Sequence, residues 1–137
     1  MAETTLFILD SDQRGHEPLK KHLLTVPPEQ IGITIISVEE LIRGRLAQIR
    51  RASKPDDRVK AYYWLSKTFN FLNGFNVIEY DSSADFHFQT LFAQKLRIGT
   101  NDLKIAAIAL NKNAILVTRN IRDFERIPPL KIEDWSV

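Results

Sequence analysis

The sequence predicts an α/β protein, an α/β/α sandwich around a central, mostly parallel sheet of four to five strands. Short apolar runs recur along the chain without polar alternation, the pattern of strands covered on both faces. Between them lie segments with apolar residues at helical spacing, so strand and helix alternate. The chain has 137 residues, which suits a single domain over residues 1–137 with a core of its own.

The strand candidates are Thr5–Leu9 (TLFIL), Gly32–Ile36 (GITII), Asn76–Tyr80 (NVIEY) and Ala114–Thr118 (AILVT). The β-branched content of the second favours extended chain. Leu130–Ile132, after Pro128-Pro129, reads as a short edge strand. A late first helix is expected near Glu17–Leu24, because Gly15 and Pro18 oppose helix before it. Val38–Ala52 carries Leu41, Ile42, Leu46 and Ile49 at helical spacing. Arg58–Leu72 carries Val59, Tyr62, Tyr63, Leu65, Phe69 and Leu72, and Ser83–Leu96 carries Phe86, Phe88, Leu91, Phe92 and Leu96. Asp102–Asn111 carries Leu103, Ile105, Ala106, Ala109 and Leu110, with Asn113 suited to a left-handed stop.

Composition narrows the chemistry. There is no cysteine, so disulfides and thiolate metal sites are excluded and any metal must be held by oxygen or imidazole. The start Met1-Ala2-Glu3-Thr4-Thr5 lacks the basic region of a secretory signal, and no apolar run approaches the ~18 residues of a membrane span. A cytoplasmic protein that does not engage membrane is expected. The net charge of +2 says little, but residues 43–60 hold seven basic and two acidic residues, a local balance of +5. Such a block is either a solvated surface or a contact for phosphates.

In a parallel sheet the functional crevice lies outside the carboxyl ends of the strands. Asp10 and Asp12 follow the first strand there, Ser37, Glu39 and Glu40 the second, and Thr118, Arg119, Asn120 and Asp123 the fourth; Asp102 opens the helix before the fourth. Two carboxylates ~4 Å apart repel by about 4 kcal/mol at an effective dielectric of 20, a cost that a divalent cation removes. Oxygen ligands suit Mg²⁺, with Mn²⁺ as a substitute, and such ions serve phosphoryl chemistry. Each acid also has a plainer use. Asp10 could cap the next turn, Ser37 and Glu40 fit a capping box, Asp102 complements a helix dipole, and Asp123 could hold a surface loop. His16, His22 and His87 share no ligand spacing and read as structural.

Four segments, in order, resemble the PIN domain family, and within it the VapC-type toxins of bacterial toxin–antitoxin pairs. They are Phe7-Ile8-Leu9-Asp10-Ser11-Asp12, Glu40-Leu41-Ile42-Arg43-Gly44, Asn101-Asp102-Leu103-Lys104-Ile105-Ala106-Ala107 and Thr118-Arg119-Asn120-Ile121-Arg122-Asp123-Phe124. The resemblance implies a Mg²⁺-dependent endoribonuclease with metal roles for Asp10, Glu40 and Asp102, and a further acidic or polar contribution from Asp123 or Asn120. It implies an RNA substrate, a cognate antitoxin and a homodimer. RNA contacts are expected from Arg43, Arg45, Ser11, Thr118, Arg119 and Asn120. The chain departs from the family after Asp12, where Gln13-Arg14-Gly15-His16-Glu17-Pro18 is shorter by about one helical turn.

Two other readings follow. A PIN scaffold with that shortened segment could bind partners without cutting; Trp64 and Phe71 are then the candidates for a partner surface, while Tyr62 and Phe69 are expected in the core. Asp10-Ser11-Asp12 also resembles the Asp-x-Asp of haloacid-dehalogenase-like phosphatases. Arg14 and Thr100, however, stand where those enzymes carry a hydroxyl residue and a further acid.

Overall fold

The computed structural model describes residues 5–10 and 17–135. Ser11, Asp12 and His16 lie outside the described residues. The element order is β1 (Phe7–Leu9), α1 (Glu17–Thr25), β2 (Ile31–Thr34), α2 (Ile35–Arg51), α3 (Pro55–Leu72), β3 (Asn76–Ile78), α4 (Ser82–Ala93), α5 (Thr100–Lys112), β4 (Ile115–Val117), α6 (Ile121–Phe124) and β5 (Lys131–Glu133). A 3-10 turn over Pro28–Gln30 leads into β2.

The five strands form one sheet in the order β3-β2-β1-β4-β5. Every pairing is parallel, with Phe7 opposite Ile31 on one side and Ile115 on the other. Strand alternation divides the core between the two faces. Ile8 and Leu116 join α5, Ala84 and Leu91 of α4, Phe124 and Ile127 on one side. Leu9, Ile31 and Val117 meet Leu19 of α1 and Trp135 on the other, with Phe7, Leu23 and Phe75 packed against them. The α/β/α sandwich expected from the alternation is therefore present. Helix α4 packs along α5, and α2 pairs with α3. Gly32 is needed at its position, since a Cβ there would stand 2.7 Å from Ile78 Cδ1 and 3.1 Å from the Asn76 carbonyl oxygen.

Helix boundaries differ from expectation where polar caps outweigh apolar pattern. Helix α2 starts at Ile35, because Thr34, fully buried at the end of β2, is its N-cap and accepts from Ser37 N at 3.1 Å. Ile35 and Ile36 thus belong to the helix, not to the strand. Helix α3 starts at Pro55 rather than Arg58, with proline in the first turn and Asp56 and Asp57 on the positive end of the dipole. Asp81 caps α4 through Ala84 N at 2.9 Å, and α4 ends at Ala93, before Lys95 turns left-handed. Helix α5 begins two residues early, at Thr100, and Asn113 ends it at φ 51° as expected.

Tyr62 and Phe69, expected in the core, are 57% and 59% exposed. Helix α3 uses a single stripe, Ala61, Leu65, Thr68 and Leu72, and each of these two aromatics follows a stripe residue by one position, about 100° around the helix. Trp64 and Phe71 are also about half exposed. No helix among the described residues is long and apolar enough to cross a membrane.

Candidate active site

Strand order reverses at β1: the chain runs outward to β2 and β3, then returns to place β4 on the other side. The crevice of such a sheet opens at that switch point, beyond the carboxyl ends of β1 and β4. Asp10 and Thr118 stand there. Asp10 continues the ladder by donating its N–H to the Val117 carbonyl at 2.9 Å, and its side chain is almost fully buried. The Thr118 hydroxyl donates to Asp10 Oδ2 at 2.8 Å. The same hydroxyl oxygen accepts Asn120 N–H at 2.9 Å, and Thr118 N–H bonds the Glu133 carbonyl of β5. A buried carboxylate thus has its rotamer set by a residue 108 positions away.

Glu40 approaches from α2 and Asp102 from the first turn of α5. Because Thr34 holds the N-cap, Glu40 lies beyond the first turn, and the Ser37–Glu40 capping box does not form. Glu40 Oε1 is buried and, among the described residues, has no hydrogen-bond partner. Burial, then the charges of Asp102, Asp10 and Glu39, hold the Glu40 carboxyl above the ordinary carboxylate range, with Arg43 opposing. Burial raises Asp102 likewise, followed by the charges of Asp10 and Asp123. Each shift reports that the ionised form lacks enough compensation from protein cations or donors. Asp123, on α6, accepts from Asn120 Nδ2 at 3.0 Å. It therefore both holds its loop and adds negative charge beside Asp102.

The fold thus brings Asp10, Glu40, Asp102 and Asp123 into one electrostatic cluster. Among the described residues no three carboxylate or imidazole side chains are arranged to grip one ion by themselves. The donor set nevertheless fits a hydrated divalent cation. All its acidic groups offer hard carboxylate oxygens, one of them buried without a partner, and Mg²⁺ commonly uses one or two carboxylates while keeping several waters.

The residues expected to touch RNA divide. Thr118 is fully buried and works inward on Asp10, so it orients the acid rather than meeting a ligand. Arg45 is engaged in the seam between α2 and α3. It donates to Thr68 Oγ1 at 2.8 Å and to Gln48 Oε1 at 3.0 Å, and its guanidinium lies 5.4 Å from the Trp64 ring centroid. Arg43 is exposed and bonds Glu39 at 2.5 Å; Arg119 is exposed and Asn120 half-buried beside the crevice. Ser11 lies outside the described residues. Of the described histidines, His22 is exposed and packs edge-on against Trp135, with ring centroids 4.9 Å apart. Thr34 is the residue whose importance the spacing hid, since its hydroxyl decides where α2 begins and hence where Glu40 points.

The chain belongs to the PIN domain family, whose model matches residues 3–129. Among curated proteins it is 32% identical over 138 residues to Ribonuclease VapC1 of Haemophilus influenzae (strain R2866), a match covering 99% of this chain and 97% of that protein. It is 43% identical to Ribonuclease VapC2 of Rickettsia felis over 75 residues, 52% of this chain and 56% of that protein. The crystal structure of DNA-bound VapBC from Salmonella typhimurium superposes with a TM-score of 0.77 at 27% identity, covering 96% of this chain and 98% of the other.

Proposed function

We propose that this chain is a Mg²⁺-dependent endoribonuclease and the toxin of a toxin–antitoxin pair. The observation that carries the proposal is the convergence of Asp10, Glu40 and Asp102 at the switch point, with one buried Glu40 oxygen unpartnered among the described residues. The names of the relatives, ribonuclease VapC, support the choice of RNA, and the VapBC neighbour supports an antitoxin partner.

Asp10, Glu40 and Asp102 would hold the ion together with its waters, with Asp123 adding negative charge at its edge. When bound, Mg²⁺ supplies polarisation of a phosphodiester and neutralises the gathered carboxylates. The chain's own groups do the rest. Thr118 fixes Asp10 through Oδ2, and Asn120 fixes Asp123. Glu40 and Asp102 retain protons above the usual range, so cation and proton compete for the same oxygens. Arg43 and Arg119 are both exposed and would meet the RNA backbone.

The test incubates the purified chain with a panel of RNAs and Mg²⁺, with and without EDTA, beside Asp10→Ala and Asp102→Ala. The expected result is cleavage that EDTA abolishes and that each variant reduces about a thousandfold or more. Cleavage indifferent to EDTA, or retained by both variants, defeats the reading. Capture of a small partner protein without any turnover would show a binding scaffold instead, and phosphate release from small esters with RNA left whole would show a phosphatase. Homodimerisation belongs to the same proposal and is read by sedimentation of the chain alone.

A further inference from the structure

We infer that the tip of the α2–α3 hairpin carries a second RNA site, a cleft that takes one nucleotide of a single strand away from the acidic crevice. It rests on the ribonuclease reading only for the class of polymer. The cleft measures about 270 Å³ and is lined by Gln48, Arg51, Asp57, Lys60 and Trp64, with Ala52 and Ala61 in its wall. Its chemistry matches the three parts of a nucleotide. Arg51 and Lys60 are exposed cations, and among the described residues neither has an ion-pair partner; they suit a phosphate. Trp64, 48% exposed, offers a ring on which any base can stack. The Asp57 carboxylate can accept from a base N–H or a ribose 2′-hydroxyl, and the Gln48 amide, whose Oε1 already accepts from Arg45, can donate its NH2 to a base acceptor. An acidic peptide would use the cations but would meet a like charge at Asp57 and leave the ring without a planar partner.

Trp64 also borders a neighbouring hollow of about 310 Å³, lined by Leu41 and Phe71 and by Lys20, Arg45, Lys67 and Thr68. Arg45, which stacks on the Trp64 ring, lines only that inner hollow. The tip cleft thus has its own cations, Arg51 and Lys60, but shares Trp64 with the hollow, and Arg45 reaches it by donating to Gln48 Oε1. Arg50 and Lys54 extend its positive charge along the hairpin end, while Arg58 is tied to the Ser53 carbonyl at 2.8 Å. Glu40 and Arg51 are eleven residues apart on α2, about 16 Å along the helix axis. That is the length of roughly five stacked nucleotides at ~3.4 Å each. An RNA cut at the acidic crevice would reach the tip only if it extended at least that far.

The test uses a 12-nucleotide single-stranded RNA of mixed sequence, titrated in EDTA so that binding is read without turnover. Trp135 is buried, so quenching of tryptophan fluorescence reports on Trp64. The RNA is expected to quench the full chain and to leave Trp64→Phe unquenched. Trp64→Ala should weaken binding about tenfold. The double variant Arg51→Gln/Lys60→Gln, whose side chains are exposed and cannot unfold the chain by their loss, should lower the salt slope by roughly 1.4. With Mg²⁺, that double variant should raise KM for the 12-mer and leave kcat, and KM for a four-nucleotide substrate, unchanged. Absence of quenching, or an unchanged affinity and salt slope in these variants, overturns the proposal. So does a loss confined to capture of a partner protein. If quenching and weakened binding hold while no RNA is cleaved with metal, the tip site stands and the nuclease reading falls.

Discussion

The crevice and the hairpin tip are opposites in sign and in construction. The crevice gathers Asp10, Glu40, Asp102 and Asp123 from four places spread over most of the chain, and holds them with the sheet ladder, a buried threonine and an asparagine. The tip gathers its cations from one helix–loop–helix stretch and leaves them in solvent. Charges brought together over long sequence distances cost folding free energy and must be held by specific partners. Charges on a local surface need little support and contribute little to stability. Substitutions at the crevice should therefore alter stability and chemistry together, whereas those at the tip and its flank should act on binding alone.

The sharpest way to break this contrast is Thr118→Val. It keeps the shape of the side chain but removes the donor to Asp10 Oδ2 and the acceptor of Asn120 N–H. Metal-dependent cleavage should fall ten- to a hundredfold, and stability by about 1–3 kcal/mol, read by urea unfolding. If activity falls with no loss of stability, or stability with no loss of activity, the two are not coupled there.

Next in size is Asp102→Asn in EDTA. The carboxyl of Asp102 lies above the ordinary range, so its stabilising protonated form is fully present below the unfolded value near 3.8 and is lost as pH rises through the folded value. The neutral amide should raise Tm at pH 7 by about 3 °C, as ~1 kcal/mol does in a chain this size. The gain should shrink as pH falls towards 4. A Tm difference independent of pH would deny that charge repulsion is the cause.

Arg43 and Arg45 refine the contrast within one helical turn. Arg45→Gln should lower stability by about 1 kcal/mol through its bond to Thr68 and its packing on Trp64. Arg43→Gln should leave stability unchanged and lower the RNA salt slope by roughly 0.7. Equal effects of the two on unfolding would erase the distinction between seam and surface. The smallest expected effect is at Gly44, where an added Cβ meets nothing within 4 Å. Gly44→Ala should stabilise α2 by about 0.5–1 kcal/mol, measured by denaturant midpoint.

Much of the architecture is legible in the amino-acid sequence. Apolar runs located β1 to β4, the proline pair pointed to the edge strand β5, and helical spacing located the long helices, because strands covered on both faces leave an apolar run in the sequence. The positions of the acids at strand ends followed from the same reading. Boundaries were less legible where a polar group overrides apolar pattern. Thr34 looked like the interior of a strand, yet it caps α2, moves the helix start forward and dissolves the apparent Ser37–Glu40 box. The surplus of aromatics on α3 is plain in the sequence, but spacing alone points Tyr62 and Phe69 inward, because it does not reveal that this helix packs along only one stripe.

The sequence by itself determined the parallel α/β class, the family motifs and the inventory of carboxylates, since these depend on local periodicity and residue identity. Only the tertiary structure decided which carboxylates share a field and which polar groups are already engaged. Thr118 turned from a surface contact into the holder of Asp10, Arg45 from an RNA contact into a seam residue, and Glu40 from a cap into an unpartnered acid. The physical reason is that electrostatics and hydrogen bonding act through distances of a few ångströms, and a chain that joins residues 10 and 118 across a sheet sets those distances by register, not by spacing.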